Sequence, residues 1–530
     1  MKRRWLIATL AALTACDTPR TVVDGPAPTP TVAPAPAAIA APSPVPTAPT
    51  RPPAPSRPVA VGPQRLALQD ALLTALERNS DLRVQRYEPL IRAEDLARKA
   101  AEFDPEATAS IQRRRDDDRF GAETGAEVRT RRDVTSLEAG LRQGLWTGTS
   151  WEALATSTTT RQDGEQSTAH RLGLTVSQAL LRGAGSAVGL ADVRQARLDL
   201  AISRYGLRGY VAAVASTVEK AYWSHALARE RLVLVEESMR LTERQLSEAR
   251  EIVAAGRMAG VELSASEAEV ALRAQVVLDA REEVATSRLL LQSLLGASGA
   301  DYQRPLDLLD RPFVPERGVD PLDAHLAVAQ RLRPDLNQAR LEIQRGDLEL
   351  VKTRNGLLPR LDLFVTLGGT GYARGFGDAI QRDDGRGRDL TIGLTASIPL
   401  GNRAANADHR RAGHERDQVA AALTNLERLA ELDVLIAHLA ALSARERVAA
   451  AAATVQLQER KLEAQTEKFR IGTASTLAVA QAQRDLLDSR LSAITAVVDH
   501  LIALDELYWL DGSLLARRGI AAPGDVSPGR

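Results

Sequence analysis

From Leu207 onward an apolar residue recurs alternately after four and three positions: Leu207, Val211, Val214, Val218, Ala221, His225, Ala228, Leu232, Val235, Met239, Thr242, Leu246, Ala249 and Val253. Only His225 and Thr242 interrupt the stripe, His225 as a polar packing residue within the seam. A spacing of 3.5, held in register this long, predicts an under-wound helix whose seam lies along other helices. Starting near Val188, behind the glycine-rich Arg182-Gly183-Ala184-Gly185, such a helix has roughly 65 residues and is on the order of 100 Å long. A globular core needs nothing of that length.

The pattern returns 216 residues later as Leu423, Glu427, Ala430, Val434, Ala437, Ala441, Ala444, Val448, Ala451, Val455, Gln458, Leu462, Gln465 and Phe469. Its alanines allow close helix approach. Both stretches end alike, at Ala255-Gly256-Arg257-Met258-Ala259-Gly260-Val261 and Ile471-Gly472-Thr473-Ala474-Ser475-Thr476-Leu477. A second helix follows each, over Glu262–Leu295 and Ala478–Leu510, so each unit is predicted to be a long helical hairpin.

Between Pro105 and Leu181 the period falls to two, the mark of strands with unlike faces. Leu137, Ala139, Leu141 and Leu145 alternate with Glu138, Gly140, Arg142 and Gly144, and Leu172, Leu174 and Val176 alternate with Arg171, Gly173 and Thr175. The second unit repeats this with Leu361, Leu363, Val365 and Leu367, then with Leu390, Ile392, Leu394, Ala396 and Ile398. The spacing predicts four strands in the first unit (about 105–113, 134–143, 150–160 and 171–181) and two in the second (about 359–372 and 389–400). Long charged connections are expected at Arg113–Asp133 and Ala373–Arg388, and a tight turn at Thr147-Gly148-Thr149 between Trp146 and Trp151. Long loops at one end, short turns at the other and tryptophans near the turn suit a wall between lipid and water. A soluble sandwich with one packed face is the alternative.

The duplication extends upstream of the strands. At an offset of 254, Leu72, Asp81-Leu82 and Pro105 fall on Leu326, Asp335-Leu336 and Pro359. Helices are expected over about Leu68–Glu102 and Leu322–Leu358, each with a kink or restart, at Asn79–Asp81 and at Arg333–Asp335.

The N-terminus reads differently. Lys2-Arg3-Arg4, the apolar run Trp5–Leu13 and Leu13-Thr14-Ala15-Cys16 have the form of a lipoprotein signal peptide (residues 1–16), with Cys16 as the lipidated residue. Cys16 is the only cysteine, which excludes disulfides within the chain. Asp17 resembles a retention signal that some lineages read as keeping a lipoprotein in the inner membrane. Residues 17–63, rich in proline, alanine and threonine, predict a disordered tether. The remaining divisions are 64–300 for the first unit, 301–513 for the second, and a tail, 514–530, to which the sequence gives no role.

With 68 Lys+Arg against 68 Asp+Glu, the chain has no overall field that would favour nucleic acid. Its seven histidines are scattered, and no His-Glu-x-x-His, phosphate loop or cysteine set is present. No catalytic residue, cofactor or metal is expected, and the chain reads as a non-enzyme.

The ordered combination resembles the TolC-like outer-membrane efflux protein family over about Leu66–Asp511. It rests on Leu357-Leu358-Pro359-Arg360-Leu361, on Leu174 through Gly183, and on Phe469-Arg470-Ile471-Gly472 followed by Ala482-Gln483-Arg484-Asp485-Leu486-Leu487. The resemblance implies a mainly α fold with membrane β: duplicated helical hairpins forming a coiled-coil tunnel, and strands given to a trimeric transmembrane barrel. Three chains with six strands each would make about 18 strands. The simplest relatives have two strands per unit, so the hairpin around Thr147-Gly148-Thr149 lies either in this wall or outside it.

The resemblance also implies function at the hairpin tips, where a periplasmic adaptor (a membrane fusion protein) joins the tunnel to an inner-membrane pump. Those tips are Gly256, Arg257, Met258, Ala259 and Gly260, and Gly472, Thr473, Ala474, Ser475 and Thr476. Some relatives carry acidic rings and a basic latch beside the second tip. The corresponding positions here are Ala478, Gln481 and Ala474, so those devices are absent, and Glu262, Glu267 and Glu269 of the first unit are the candidate entrance ring. The expected role is an exit duct of a tripartite efflux or type I secretion system, anchored in the outer membrane. The alternatives are a lipid-anchored coiled-coil scaffold without a pore and a periplasmic adaptor.

Overall fold

The computed structural model describes residues 63–121, 127–255, 260–316, 318–373, 387–471 and 473–521. Cys16, the signal peptide and residues 17–62 of the tether lie outside the described residues, as do Gly256, Arg257, Met258, Ala259 and Gly472.

Strand β1 (Gln64–Leu66) leads into α1 (Leu68–Arg78), α2 (Ser80–Gln85) and α3 (Tyr87–Ala100), which occupy the expected first helix. The break at Asn79 is a cap: its side chain accepts from the Leu82 amide at 2.9 Å. A further restart follows Arg86, which the periodicity did not show. In the second unit α7 (Leu322–Leu332) and α8 (Pro334–Gly356) divide at Arg333, with proline at the first helical position. Leu82 and Leu336, matched in sequence, are both buried. A short parallel ladder of β1 with β6 (Leu306–Leu308) ties the two units together.

The long helices are α5 (Ala191–Ala254, 64 residues) and α9 (Arg403–Arg470, 68 residues), with a short α4 (Ser186–Gly189) before α5. Each is followed by the return helix, α6 (Gly260–Leu294) or α10 (Thr476–Leu510). The α5 stripe is buried at Val211, Val218, Ala221, His225, Ala228, Val235, Thr242, Leu246 and Ala249, and that of α9 at Ala430, Val434, Ala437, Ala441 and Ala444. His225 is the expected polar packing residue: its Nδ1 lies 2.9 Å from Ser287 Oγ on α6.

Each long helix changes neighbours along its length. One half of α5 packs on α3 and α8, the other on α6 and α10, while α9 packs on α8 and then α10. Where the neighbours change, the end of α6 abuts the start of α2, and the end of α10 abuts α8. Gly296 (φ +75°) and Gly512 (φ +74°) make this possible. Each closes its helix with a bond from the next amide back five residues, Ala297 to the Gln292 carbonyl at 3.0 Å and Ser513 to the Tyr508 carbonyl at 2.9 Å. A Cβ on Gly296 would stand 2.8 Å from the Arg78 carbonyl oxygen, and one on Gly512 2.9 Å from Leu332. Gly512→Ala therefore meets both a disfavoured φ and a backbone clash. A loss of about 1–3 kcal/mol is expected, seen as a lower unfolding temperature in detergent, with Gly519→Ala, which has open space, closer to wild type.

The strands form a single six-stranded antiparallel sheet in the order β2 (Glu106–Gly121), β3 (Glu127–Gly144), β4 (Thr149–Gln162), β5 (Glu165–Ala179), β7 (Arg360–Ala373), β8 (Gly387–Ser397). All six expected strands are present; the four of the first unit are longer than the alternation indicated, and the two of the second lie within three residues of the expected ends. Much of the stretch read as the loop Arg113–Asp133 continues the β2–β3 ladder, because cross-strand pairs such as Arg115 with Asp133 (2.7 Å) let charged residues extend a strand beyond its apolar part. Residues 374–386 of the other expected loop lie outside the described residues. The hairpin through Thr147-Gly148-Thr149 belongs to this sheet, and Asp163 and Gly164, both at positive φ, turn β4 into β5. The start of the tail also packs: α11 (Leu514–Arg517) buries Leu514 and Leu515, and the Arg517 guanidinium lies 4.1 Å over the Tyr508 ring.

Candidate functional site

The sheet's register sorts its residues into two faces. Opposed residues share a face, so Ile111 sits with Leu137, Ala155 with Leu172, Leu174 with Leu367, and Val365 with Ile392. This puts an apolar surface across all six strands, and Ile111, Leu172, Ile392 and Leu394 on it are more than half exposed. In water such a surface costs roughly 25 cal/mol for each Å² left uncovered. Trp151 lies on the same face near the tight turn, its indole N–H donating to Gln143 at 3.1 Å. Trp146 is exposed beside Phe103 in an edge-to-face pair.

The opposite face is polar and internally bonded. Thr175 and Thr366 hydroxyls meet at 3.1 Å, Arg171 holds Asp389 at 2.6 Å, and Arg142 holds Glu106 at 2.7 Å. The two ends of the sheet, β2 and β8, each leave one row of backbone groups without a strand partner among the described residues. No helix among the described residues is long and apolar enough to cross a membrane.

At the second tip, Ser475 caps α10 by accepting from the Ala478 amide at 3.3 Å, and Thr473 donates to the Lys468 carbonyl at 3.0 Å. Ala474 is half-buried between them. Gly260 and Thr476 begin their helices. The three glutamates separate. Glu262 lies in the first turn of α6; Glu267, partly exposed, pairs with Arg250 of α5 at 3.1 Å; Glu269 is largely buried, at 3.0 Å from Arg273 and 3.8 Å from Arg484 of α10. Glu269 thus straps the first hairpin to the second.

Sequence reasoning missed a buried polar cluster where α5 meets α10. Ser216 donates to Asp505 at 2.5 Å, Glu219 pairs with Arg518 of the tail, and Lys220 pairs with Glu506. Burial, reinforced by the Glu219 charge, pushes the Asp505 carboxyl up to about 7. The signal in the sequence is a carboxylate inside Ile502-Ala503-Leu504-Asp505-Glu506-Leu507, an apolar setting that demands a partner. A second pair, His325 with Asp511 at 2.7 Å, is buried between α7 and the end of α10. A cleft of about 450 Å³ between α3, α5 and α8 has its charges already matched: Arg92 with Glu88 at 3.0 Å and Arg345 with Asp199 at 2.8 Å. Among the described residues no group of side chains is arranged to hold a metal ion.

Residues 326–513 match the family model described as outer membrane efflux protein. No curated protein matches the chain. Among solved structures the fold is similar to that of the outer-membrane channel OprN (17% identity, 84% of this chain and 90% of that one, TM-score 0.64). It is also similar to the CmeC outer membrane channel of Campylobacter jejuni (15% identity, 84% and 86%, TM-score 0.63) and to the open MtrE outer membrane channel of Neisseria gonorrhoeae (17%, 84% and 89%, TM-score 0.59).

Proposed function

From the match of residues 326–513 to the outer membrane efflux protein family, and from the fold shared with solved outer-membrane channels, we propose that this chain is an efflux duct. Three copies assemble into one wall and one tunnel, and the tunnel receives cargo from an inner-membrane pump through a periplasmic adaptor. The observation that carries this reading is the sheet: one face apolar and exposed, the other polar, with two ends left open. Unpaired strand ends are not tolerated in lipid. Joining β8 of one copy to β2 of the next removes them, and the alternating strand directions make that junction antiparallel like the rest.

The helices favour the same assembly. Val84, Tyr87 and Ile91 on α2–α3, and Leu432, Ile436 and Leu439 on α9, form exposed apolar stripes at helical spacing, which a neighbouring copy would cover. The tips at Gly256, Arg257, Met258, Ala259 and Gly260 and at Gly472, Thr473, Ala474, Ser475 and Thr476 face the adaptor. Glu262 and Glu267 supply the entrance charge, and Glu269 holds the hairpins together. Lipidation of Cys16 anchors the chain at the periplasmic side of the outer membrane. The function requires no catalytic residue.

Reconstitution into planar bilayers tests the proposal. Discrete conductance steps are expected, and well-folded trimers that give none would instead indicate a lipid-anchored scaffold. Glu262→Gln with Glu267→Gln is expected to lower cation preference by about twofold or more, read from reversal potentials in a salt gradient, because threefold symmetry brings up to six carboxylates to one opening. An unchanged reversal potential would remove these residues from the entrance.

A further inference from the structure

The outward apolar face ends sharply, and the surface beyond it is cationic. Among the outward positions of β2 the last apolar residue is Ile111, and two residues on, about 7 Å further along the strand, stands Arg113, then Arg115. On β8 the last is Leu390, and two residues beyond it at the same end stands Arg388. Both open ends of the sheet therefore carry arginine just past the apolar belt on the lipid-facing side. Between them, Arg161 on β4 shares the row of Arg115 through Asp133.

The asymmetry between faces is specific. Beyond the belt, among described side chains, the outward face holds Arg113, Arg115, Arg131, Arg161 and Arg388 against Asp117 and Asp133. The inward face at that level holds Arg114, Arg132 and Arg171 against Asp116, Asp118, Glu165 and Asp389. The outward arginines keep 61% of the side chain exposed at Arg113 and Arg115 and 63% at Arg131, despite their contacts with Asp133 and Asp117. Their forks thus retain donors that the sheet does not use. A guanidinium plane presents paired N–H groups that match a phosphate.

We propose that Arg113 and Arg115 of one copy and Arg388 of the next form a binding site for the phosphorylated headgroup of a membrane lipid. The site repeats at each of the three junctions between copies. This inference rests on the three-copy wall proposed above, since only the β8–β2 junction brings the two ends together. The headgroup sits at the level where the apolar belt stops, so its acyl chains lie along Ile111 and Leu390 while its phosphates meet the arginines. A lipid at that place bridges neighbouring copies and seals a junction that backbone hydrogen bonds alone would hold.

Native mass spectrometry of the detergent-solubilised full chain, titrated with bisphosphorylated lipid A, tests this. Up to three tightly held lipids per trimer are expected. Arg113→Gln with Arg115→Gln and Arg388→Gln should weaken retention by about a hundredfold, at roughly 1 kcal/mol per arginine near a charged headgroup. The inward variant Arg114→Gln with Arg132→Gln should bind as wild type. Lipid A stripped of its phosphates should be lost, and millimolar inorganic phosphate should not displace the intact lipid. Equal retention by the outward variant, equal retention of the dephosphorylated lipid, or displacement by free phosphate would each overturn the proposal while leaving the duct intact. Masses of monomers alone would overturn both, and the same spectra distinguish the two failures.

Discussion

Leu174→Arg is expected to abolish insertion into the outer membrane, while Thr175→Arg, one position along β5, is expected to leave it in place. Leu174 lies on the apolar face between Ala153 and Leu367, and Thr175 on the polar face between Glu152 and Thr366. An arginine facing lipid at mid-membrane depth costs about 2–4 kcal/mol per chain, and the three-chain wall proposed above would carry that cost three times. The polar face is lined by residues that already pair with charges, and removing Thr175 forfeits one hydroxyl contact, about 1 kcal/mol. The measurement is the amount of trimer in the outer-membrane fraction after cell fractionation. If both substitutions behaved alike, or if Leu174→Arg inserted normally, the apolar face would be packed against protein and the wall would be no membrane wall.

Asp505→Asn is expected to raise stability at neutral pH and to flatten its dependence on pH. The wild-type carboxyl, pushed up to about 7 by burial and by Glu219, binds its proton more tightly folded than unfolded. Its contribution is therefore fully present below the unfolded value of 3.8 and is lost as pH rises through about 7. At pH 7 and above the charge buried beside Glu219 costs on the order of 3–4 kcal/mol, which the amide removes while still accepting from Ser216. His225 works in the opposite sense. Burial, then the Arg229 and Arg288 charges, push it down to about 4, so its contribution is lost as pH falls below 6.5. Comparing variant with wild type at pH 5 and pH 8 cancels the histidine and isolates the aspartate. The difference in unfolding temperature should be larger at pH 8, and an equal difference at both values would show that Asp505 stays ionised throughout.

The sequence spoke clearly where one periodicity governed many residues. The α5 stripe is buried because a heptad spacing over so many turns leaves the helix one way to cover its seam, and the strands follow because alternation admits one register per face. Strand ends were less legible. Arg113 through Asp118 read as a loop because charge and turn composition coincide in a sequence, whereas a ladder needs only a partner at the right height, which Arg131, Arg132 and Asp133 provide. The restart after Arg86 was invisible for a different reason: the residues around it keep helical dihedrals, so composition carries no break. Of the candidate site, the two faces of the sheet could be read directly. The separation of Glu267 from Glu269 could not, since Arg484, which draws Glu269 toward the second hairpin, is more than two hundred positions away.

The meeting of α6 with α2 at Gly296, and of α10 with α8 at Gly512, bears on how the molecule carries mechanical load. The joints fall beside α5 and α9, which run past them unbroken. A pull applied at the hairpin tips cannot part the chain across one plane, because any such plane severs two complete sets of backbone hydrogen bonds. Twisting is a different matter, for a butt joint resists rotation only through the side chains around it. Force from a partner at the tips would therefore turn the lower segments about Asn79 and Arg333 before it stretched anything.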